Sequence, residues 1–463
     1  MTRLAIVMLP SLTMLAACSA GSAGDPCAGV DCSGHGTCQV IAAAPACQCQ
    51  DGYHASSDGT ECLPGADNPC LPYDCSNHGR CRLDDEQQPY CDCRDGYWPS
   101  SDGLDCLEPS CSGECGVLGC CGDHCCRPRP SNYQPVGPLP ESGPSLSAAG
   151  SFDTDTDCAA GSRLGDCQQV VTTTGPDLCV CRVGDLSVGD LSVSGTAALV
   201  ILAAGTISVD GTLNISASGA ASGPGASFPG QAVGAMRGGR GGSFGTAGGN
   251  GGGERGNPAL EPLLGGEAGQ DSCGGRSGGG GGGSLQLAAG ETVTVTGTIL
   301  ALGGGGQGGG SSTDDPCCGG AGGGSGGGVI IEAPVVTFSG AFWATGGGGG
   351  GGGNNRGASG GDGQDGDTSG QPAAGGAGRD GASCALYGAI EGGDGGAGSG
   401  GSGPGGDGQA SDQNMCDPDQ PYVGGGGGGG GAGRIRINTV TGNQCSCSGT
   451  MVPAASFGFM GGI

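Results

Sequence analysis

Thirty cysteines, four histidines and forty-four carboxylates are the side chains of this 463-residue chain best suited to chemistry. His35, His54, His78 and His124 all lie in the cysteine-rich first part, so a nucleophile–histidine–acid relay has no base anywhere after residue 124. Asp153, Asp155 and Asp157 alternate as an EF-hand loop begins, but that loop needs Gly at its sixth place and Glu at its twelfth. Cys158 and Leu164 stand there, so the segment reads as a solvated acidic turn. Asp210 and Glu332 are isolated charges on strand-like stretches, whereas glycoside cleavage needs facing carboxylates. There is no lysine, hence no phosphate-binding Walker loop. No catalytic, cofactor-binding or metal-binding residue is assigned, and the chain is not read as an enzyme.

The cysteines carry most of the information. Cys27, Cys32, Cys38, Cys47, Cys49 and Cys62 form one frame, and Cys70, Cys75, Cys81, Cys91, Cys93 and Cys106 repeat it with one residue's difference. Ser33-Gly34-His35-Gly36 in the first frame answers to Ser76-Asn77-His78-Gly79 in the second, and Asp51-Gly52-Tyr53 to Asp95-Gly96-Tyr97. Spacing alone leaves fifteen connectivities for each frame. The frames resemble EGF-like modules over residues 27–62 and 70–106. The resemblance implies bridges Cys27–Cys38, Cys32–Cys47 and Cys49–Cys62, then Cys70–Cys81, Cys75–Cys91 and Cys93–Cys106, with Gly52 and Gly96 in a tight turn. Segments this short bury too little apolar surface to fold without such links, each contributing about 2–4 kcal/mol. Pro26 and Pro69 occupy the place where calcium-binding members carry an acidic or amide residue, so no calcium is expected. His35 and His78 read as turn residues rather than metal ligands.

Arg3, an apolar run from Leu4 and the closing Leu15-Ala16-Ala17-Cys18 resemble a bacterial lipoprotein signal. The resemblance implies removal of residues 1–17, lipidation of Cys18, a tether over 18–26 and, with Ser19 following, sorting to the outer membrane. An oxidising envelope suits so many cysteines. Setting Cys18 aside leaves an odd number, one thiol being free or paired between molecules.

Six cysteines between Cys111 and Cys126 read as a disulfide knot rather than a zinc site, which favours paired Cys-x-x-Cys clips. Six prolines of 127–150, from Pro128 to Pro144, punctuate what reads as an extended proline-rich linker. Cys158, Cys167, Cys179 and Cys181 are expected to staple the start of a domain over 151–463.

That domain contains 115 glycines' greater part and three apolar islands. Around Gly211, Gly297 and Gly340, apolar residues fall at −4, −2, +2 and +4: Ile207, Val209, Leu213, Ile215; Val293, Val295, Ile299, Ala301; Val336, Phe338, Phe342, Ala344. Period-two alternation marks strands with one buried face, and copies that cannot fold alone must stack. A truncated fourth copy runs from Ile435 to Val440. The fold class is therefore all-β: two small disulfide-rich modules and a β-solenoid or sandwich-like repeat domain, its long glycine-rich inserts leaving from equivalent places. The inserts carry Cys273, Cys317, Cys318, Cys384 and Cys416 and read either as flexible loops or as polyproline-II-like helices bonded through their amides.

A formal charge of −28 excludes nucleic acid and anionic lipid surfaces as partners. The order of anchor, stapled modules, linker and repeat domain predicts a lipid-anchored, surface-exposed protein of the outer membrane, with an adhesive or structural role toward an extracellular protein or glycan. The rival expectations are a polysaccharide-active β-helix enzyme and an ice- or glycan-binding face.

Overall fold

The structure, a computed structural model, describes residues 27–107 with short breaks, the backbone of Cys120–Cys121 and His124–Cys125, and residues 128–462 apart from 228–236, 252, 273–274, 311–318, 355–357, 380–392, 411–423, 441 and 443–444. Cys18, Gly52, Gly96, most of the 111–126 cluster and Cys273, Cys317, Cys318, Cys384 and Cys416 lie outside the described residues. The chain divides into two compact units, Met1–Arg94 with Asp102–Cys106, and Asp95–Ser101 with Leu107–Ile463.

In the first unit each cysteine frame is built on an antiparallel hairpin, Gly36–Ile41 with Ala44–Cys49 and Gly79–Leu83 with Pro89–Cys93. A short 3-10 turn precedes each hairpin, and the Asp31 and Asp74 carboxylates accept the Ser33 and Ser76 amides there at 3.0 Å. The glycine shared by the two histidine motifs has a steric cause. A Cβ at Gly36 would meet Cys62 Sγ at 2.6 Å, and one at Gly79 would meet Cys106 Sγ at 2.5 Å.

The second unit is a three-faced parallel solenoid. Leu178–Val183, Ala198–Ala203, Ser284–Ala289, Gly328–Glu332, Arg434–Thr439 and Ser456–Phe459 pair in parallel to form the first face. Asp185–Ser194 bends across both remaining faces. From its first half the second face continues through Thr206–Val209, Thr292–Val295, Val335–Phe338 and Cys445–Cys447. From its second half the third continues through Thr212–Asn214, Thr298–Leu300, Ala341–Trp343 and Thr450–Val452. The alternating residues around the three central glycines all point inward and are buried. Parallel register throughout these ladders makes the repeat a solenoid rather than a sandwich.

Two rungs differ from the sequence expectation. The copy beginning at Ile435 is complete, not truncated: around Gly449 the positions in register with the inward ones hold Cys445, Cys447 and Met451, of which Cys445 and Met451 pack against the core and Cys447 is exposed. A further rung, 178–194, precedes the first island. Cysteine in place of Val or Ile conceals the pattern in the one; in the other only Gly189 and Asp190 separate Val188 from Leu191, one residue fewer than between Val209 and Leu213, which shifts the spacing. The corner glycines themselves stack. Gly297, Gly340 and Gly449 donate to Val209, Val295 and Phe338 carbonyls of the preceding rung at 2.9–3.1 Å, and a Cβ at Gly340 would overlap the Gly297 carbonyl oxygen.

Residues 145–170 close one end of the solenoid. Ser145–Asp153 pairs with Asp185–Ser194, placing Phe152 in the core, and Asp166–Val170 pairs antiparallel with Leu178–Val183. Bridges Cys158–Cys179 and Cys167–Cys181 fasten this cap to the first rung.

The glycine-rich inserts all leave from the same corner, between the third face of one rung and the first face of the next. They are ordered. Gly346–Gly353 donates along three lines: Gly346, Gly349 and Gly352 to carbonyls of Ser399, Gly396 and Gly393; Gly347 and Gly350 to Gly324 and Ala321; Gly348 and Gly351 to Gln364 and Gly361. It accepts along three others, from Gly427 and Gly430, from Gly376 and Arg379, and from Gly306 and Gly309. A bond to each neighbour at every third residue is the signature of a threefold, polyproline-II-type helix. This helix has six such neighbours, so all three residues of each turn face another backbone. Collagen excludes side chains at one position in three; here every position is excluded, and a Cβ at Gly349 would overlap the Gly427 carbonyl. Peripheral helices have a free side, and there substituents return at three-residue spacing: Ala374 and Ala377, Asp394 and Ala397, Pro404 and Asp407 are exposed.

Candidate functional site

The cysteines of the two frames stand in six pairs: Cys27–Cys38, Cys32–Cys47, Cys49–Cys62, Cys70–Cys81, Cys75–Cys91 and Cys93–Cys106, with Cα atoms 5.6–5.7 Å apart. Cys32, Cys47 and Cys62 bring their sulfurs close together, as do Cys75, Cys91 and Cys106, but these thiols are consumed in bridges and offer no thiolate to a metal. His35 stacks on Tyr53 with ring centroids 3.9 Å apart, consistent with a turn residue.

The alternating acids after residue 152 are occupied by the backbone. Asp153 Oδ1 accepts from the amides of Asp155 and Thr156, and Asp155 accepts the amide and hydroxyl of Thr196. Asp157 accepts the Asp153 amide. The Asp155 amide, foremost, holds the Asp153 carboxyl below its ordinary range.

The strand-borne carboxylates are likewise tied to neighbouring rungs. Asp185 accepts the Thr206 amide at 2.8 Å and the Ser145 hydroxyl at 2.9 Å, which lowers its pKa, the Thr206 amide being the larger cause. Asp190 accepts the Thr212 amide, and Asp210 accepts the hydroxyls of Ser208 and Thr296.

Glu332 is a different case. It lies on the outer side of the first face yet is wholly buried, because the proline-rich segment read as a linker lies across it. Ser131 N–H reaches both carboxylate oxygens at 3.0–3.1 Å, Gln286 Nε2 donates to Oε2 at 2.7 Å and Asn438 Nδ2 to Oε1 at 2.9 Å. Gln286 and Asn438 also bond the Ser131 carbonyl and hydroxyl. Three successive rungs thus grip one residue of the overlying segment. Burial pushes the Glu332 carboxyl above its usual range, against the opposing pull of these donors.

The same overlying segment forms one wall of a cleft of about 680 Å³ that no sequence pattern announces. Tyr133 and Gln134 face Thr173 and Thr174 across it, with Glu261 and the exposed ring of Phe459 completing the rim. The Arg129 guanidinium sits 3.9 Å over the Tyr133 ring. Thr172 is committed to the turn, its amide bonded to Asp177 and its hydroxyl to the Gly175 and Pro176 carbonyls. Among the described residues, the side-chain polar atoms of Tyr133, Gln134, Thr173, Thr174 and Glu261 make no hydrogen bond. The cleft therefore offers unspent donors and acceptors beside two aromatic rings.

The chain matches no protein-family model, and neither a curated protein nor a solved structure matches it. What the fold itself defines is a strand-rich protein in which small disulfide-bonded modules precede a solenoid that carries a glycine-helix bundle.

Proposed function

We propose that this is a lipid-anchored cell-surface protein with an adhesive or structural binding role, built as EGF-like modules followed by a solenoid. One observation carries the reading. The carboxylates on the strands are engaged in holding amides and hydroxyls of adjacent rungs, while an open cleft keeps its polar groups unspent. Side chains arranged in that way serve a rigid binding scaffold better than bond cleavage, which needs convergent, free carboxylates. The motif ending at Cys18 supports anchoring: several acyl chains, each buried methylene adding about 0.8 kcal/mol, give stable attachment where one chain is marginal. The paired cysteines and their matched hairpins support the EGF-like reading.

Protease treatment of intact cells tests display. Release of fragments from beyond residue 150 is the expected result; full protection of that region sinks the surface assignment. Cys18→Ser is expected to leave the protein unlipidated, and recovery of that variant with the same acylated mass as wild type removes the anchor from the reading.

A further inference from the structure

We infer that the cleft between residues 129–135 and 171–178 is a binding site for a neutral oligosaccharide. The inference rests on the surface-binding reading above and names the chemistry of its partner. A pyranose ring has an apolar C–H face and a rim of hydroxyls that both donate and accept. A site for it needs aromatic surface next to mixed-sense hydrogen-bonding groups, without strong net charge. The cleft has each of these. Tyr133 and Phe459 supply aromatic surface, Phe459 with 64% of its area exposed. Gln134, Thr173 and Thr174 each offer a donor and an acceptor, and none is bonded within the protein. Arg129 and Glu261 bring one charge of each sign, so the local balance is neutral, and the chain's −28 disfavours acidic polysaccharides. The volume falls within the roughly 300–1,000 Å³ range of small-ligand sites.

The walls are also held in place before any ligand arrives. Ser131 is fixed by Glu332, Gln286 and Asn438, and Asn132 Nδ2 donates to the Leu260 carbonyl at 3.1 Å, one residue from Glu261. The opposite wall is fixed by Asp177 and the Thr172 turn. Little ordering is left for binding to cost, which favours measurable affinity for a small, weakly interacting ligand.

The test is calorimetric titration of the full-length mature protein with gluco-, xylo- and chito-oligosaccharides, alongside an oligogalacturonate as the acidic probe and a proline-rich peptide as the non-glycan probe. Binding of at least one neutral series, weakened tenfold or more by Tyr133→Ala and by Gln134→Ala, is the expected result. Gln134 is exposed, so that variant separates lost contacts from misfolding if Tyr133→Ala does not fold. Absence of binding to all neutral series at millimolar ligand, a preference for the acidic probe or the peptide, or neutral-sugar binding unchanged in both variants overturns the inference. Surface display measured by protease treatment is independent: display without sugar binding removes only the glycan assignment, and sugar binding without display removes only the location.

Discussion

The solenoid and the glycine bundle share one unit and solve the same problem by opposite means. In the solenoid, side chains do the packing: Ile207, Val293, Val336 and their neighbours interdigitate, and backbone is kept at the spacing between strands. In the bundle side chains are excluded and the backbone itself is the packing material, each helix of Gly346–Gly353 type bonding outward to six others. The first region gains stability from area removed from water. The second gains it from hydrogen bonds and close contact, against the large entropy that glycine loses on ordering. A substitution should therefore hurt the solenoid by removing atoms and hurt the bundle by adding them.

Phe338→Ala provides the largest test of that contrast. Emptying a fully buried ring position in the solenoid is expected to cost about 3–5 kcal/mol in urea unfolding. Gly350→Ala adds one methyl where the Gln307 carbonyl already stands, and a loss of about 3 kcal/mol is expected. Its hydrogen-exchange signature should be confined first to 346–353 and the helices bonded to it. If Gly350→Ala proves neutral, the bundle is looser than its bonding pattern requires and the contrast fails.

The clasp around Glu332 sharpens the comparison through pH. Its carboxyl has a raised folded value, so its contribution is greatest below the unfolded value and is lost as pH rises through the folded one. Asp185 runs the other way: its folded value is lowered, so its contribution is present above the ordinary range and is lost as pH falls through the folded value. Glu332→Gln should flatten the pH dependence of thermal melting above the ordinary carboxylate range, leaving the acid limb in place. An unchanged profile would show that Glu332 is ionised in the fold at no cost. The smallest effect belongs to the rim of the bundle, where Ala377→Ser, at an exposed position, should shift stability by less than about 0.5 kcal/mol. A large loss there would mean that the outer rows are covered.

How far the sequence discloses these regions follows from the same physics. The solenoid rungs around Gly211, Gly297 and Gly340 are legible because a buried strand face imposes period two on Val, Ile, Leu and Phe. The rungs at 178–194 and 434–452 escape that reading because cysteine, methionine and an unbroken bend stand in the pattern. The bundle is half legible. Its central runs are pure glycine and carry no period, but the stretch Gly392-Gly393-Asp394-Gly395-Gly396-Ala397 shows the three-residue spacing of a helix with one free side. The cleft is not legible at all: Tyr133, Thr173, Glu261 and Phe459 are brought together by folding, and nothing in their separate surroundings marks them. Glu332 shows the same limit, since a charge on an alternating strand reads as solvent-facing until the chain that covers it is known.

Some amides of the glycine bundle meet no backbone carbonyl, and carboxylates take them: Asp365 those of Gly219 and Gly305, Asp362 that of Gly308, Asp394 that of Gly378, Asp407 that of Asn250. Left bare, such rows would be templates for further glycine strands from other molecules, as unpaired sheet edges are. Filling them with fixed negative charge both terminates growth and makes neighbouring copies repel. Part of the acidity of this chain is thus spent on satisfying its own glycine backbone.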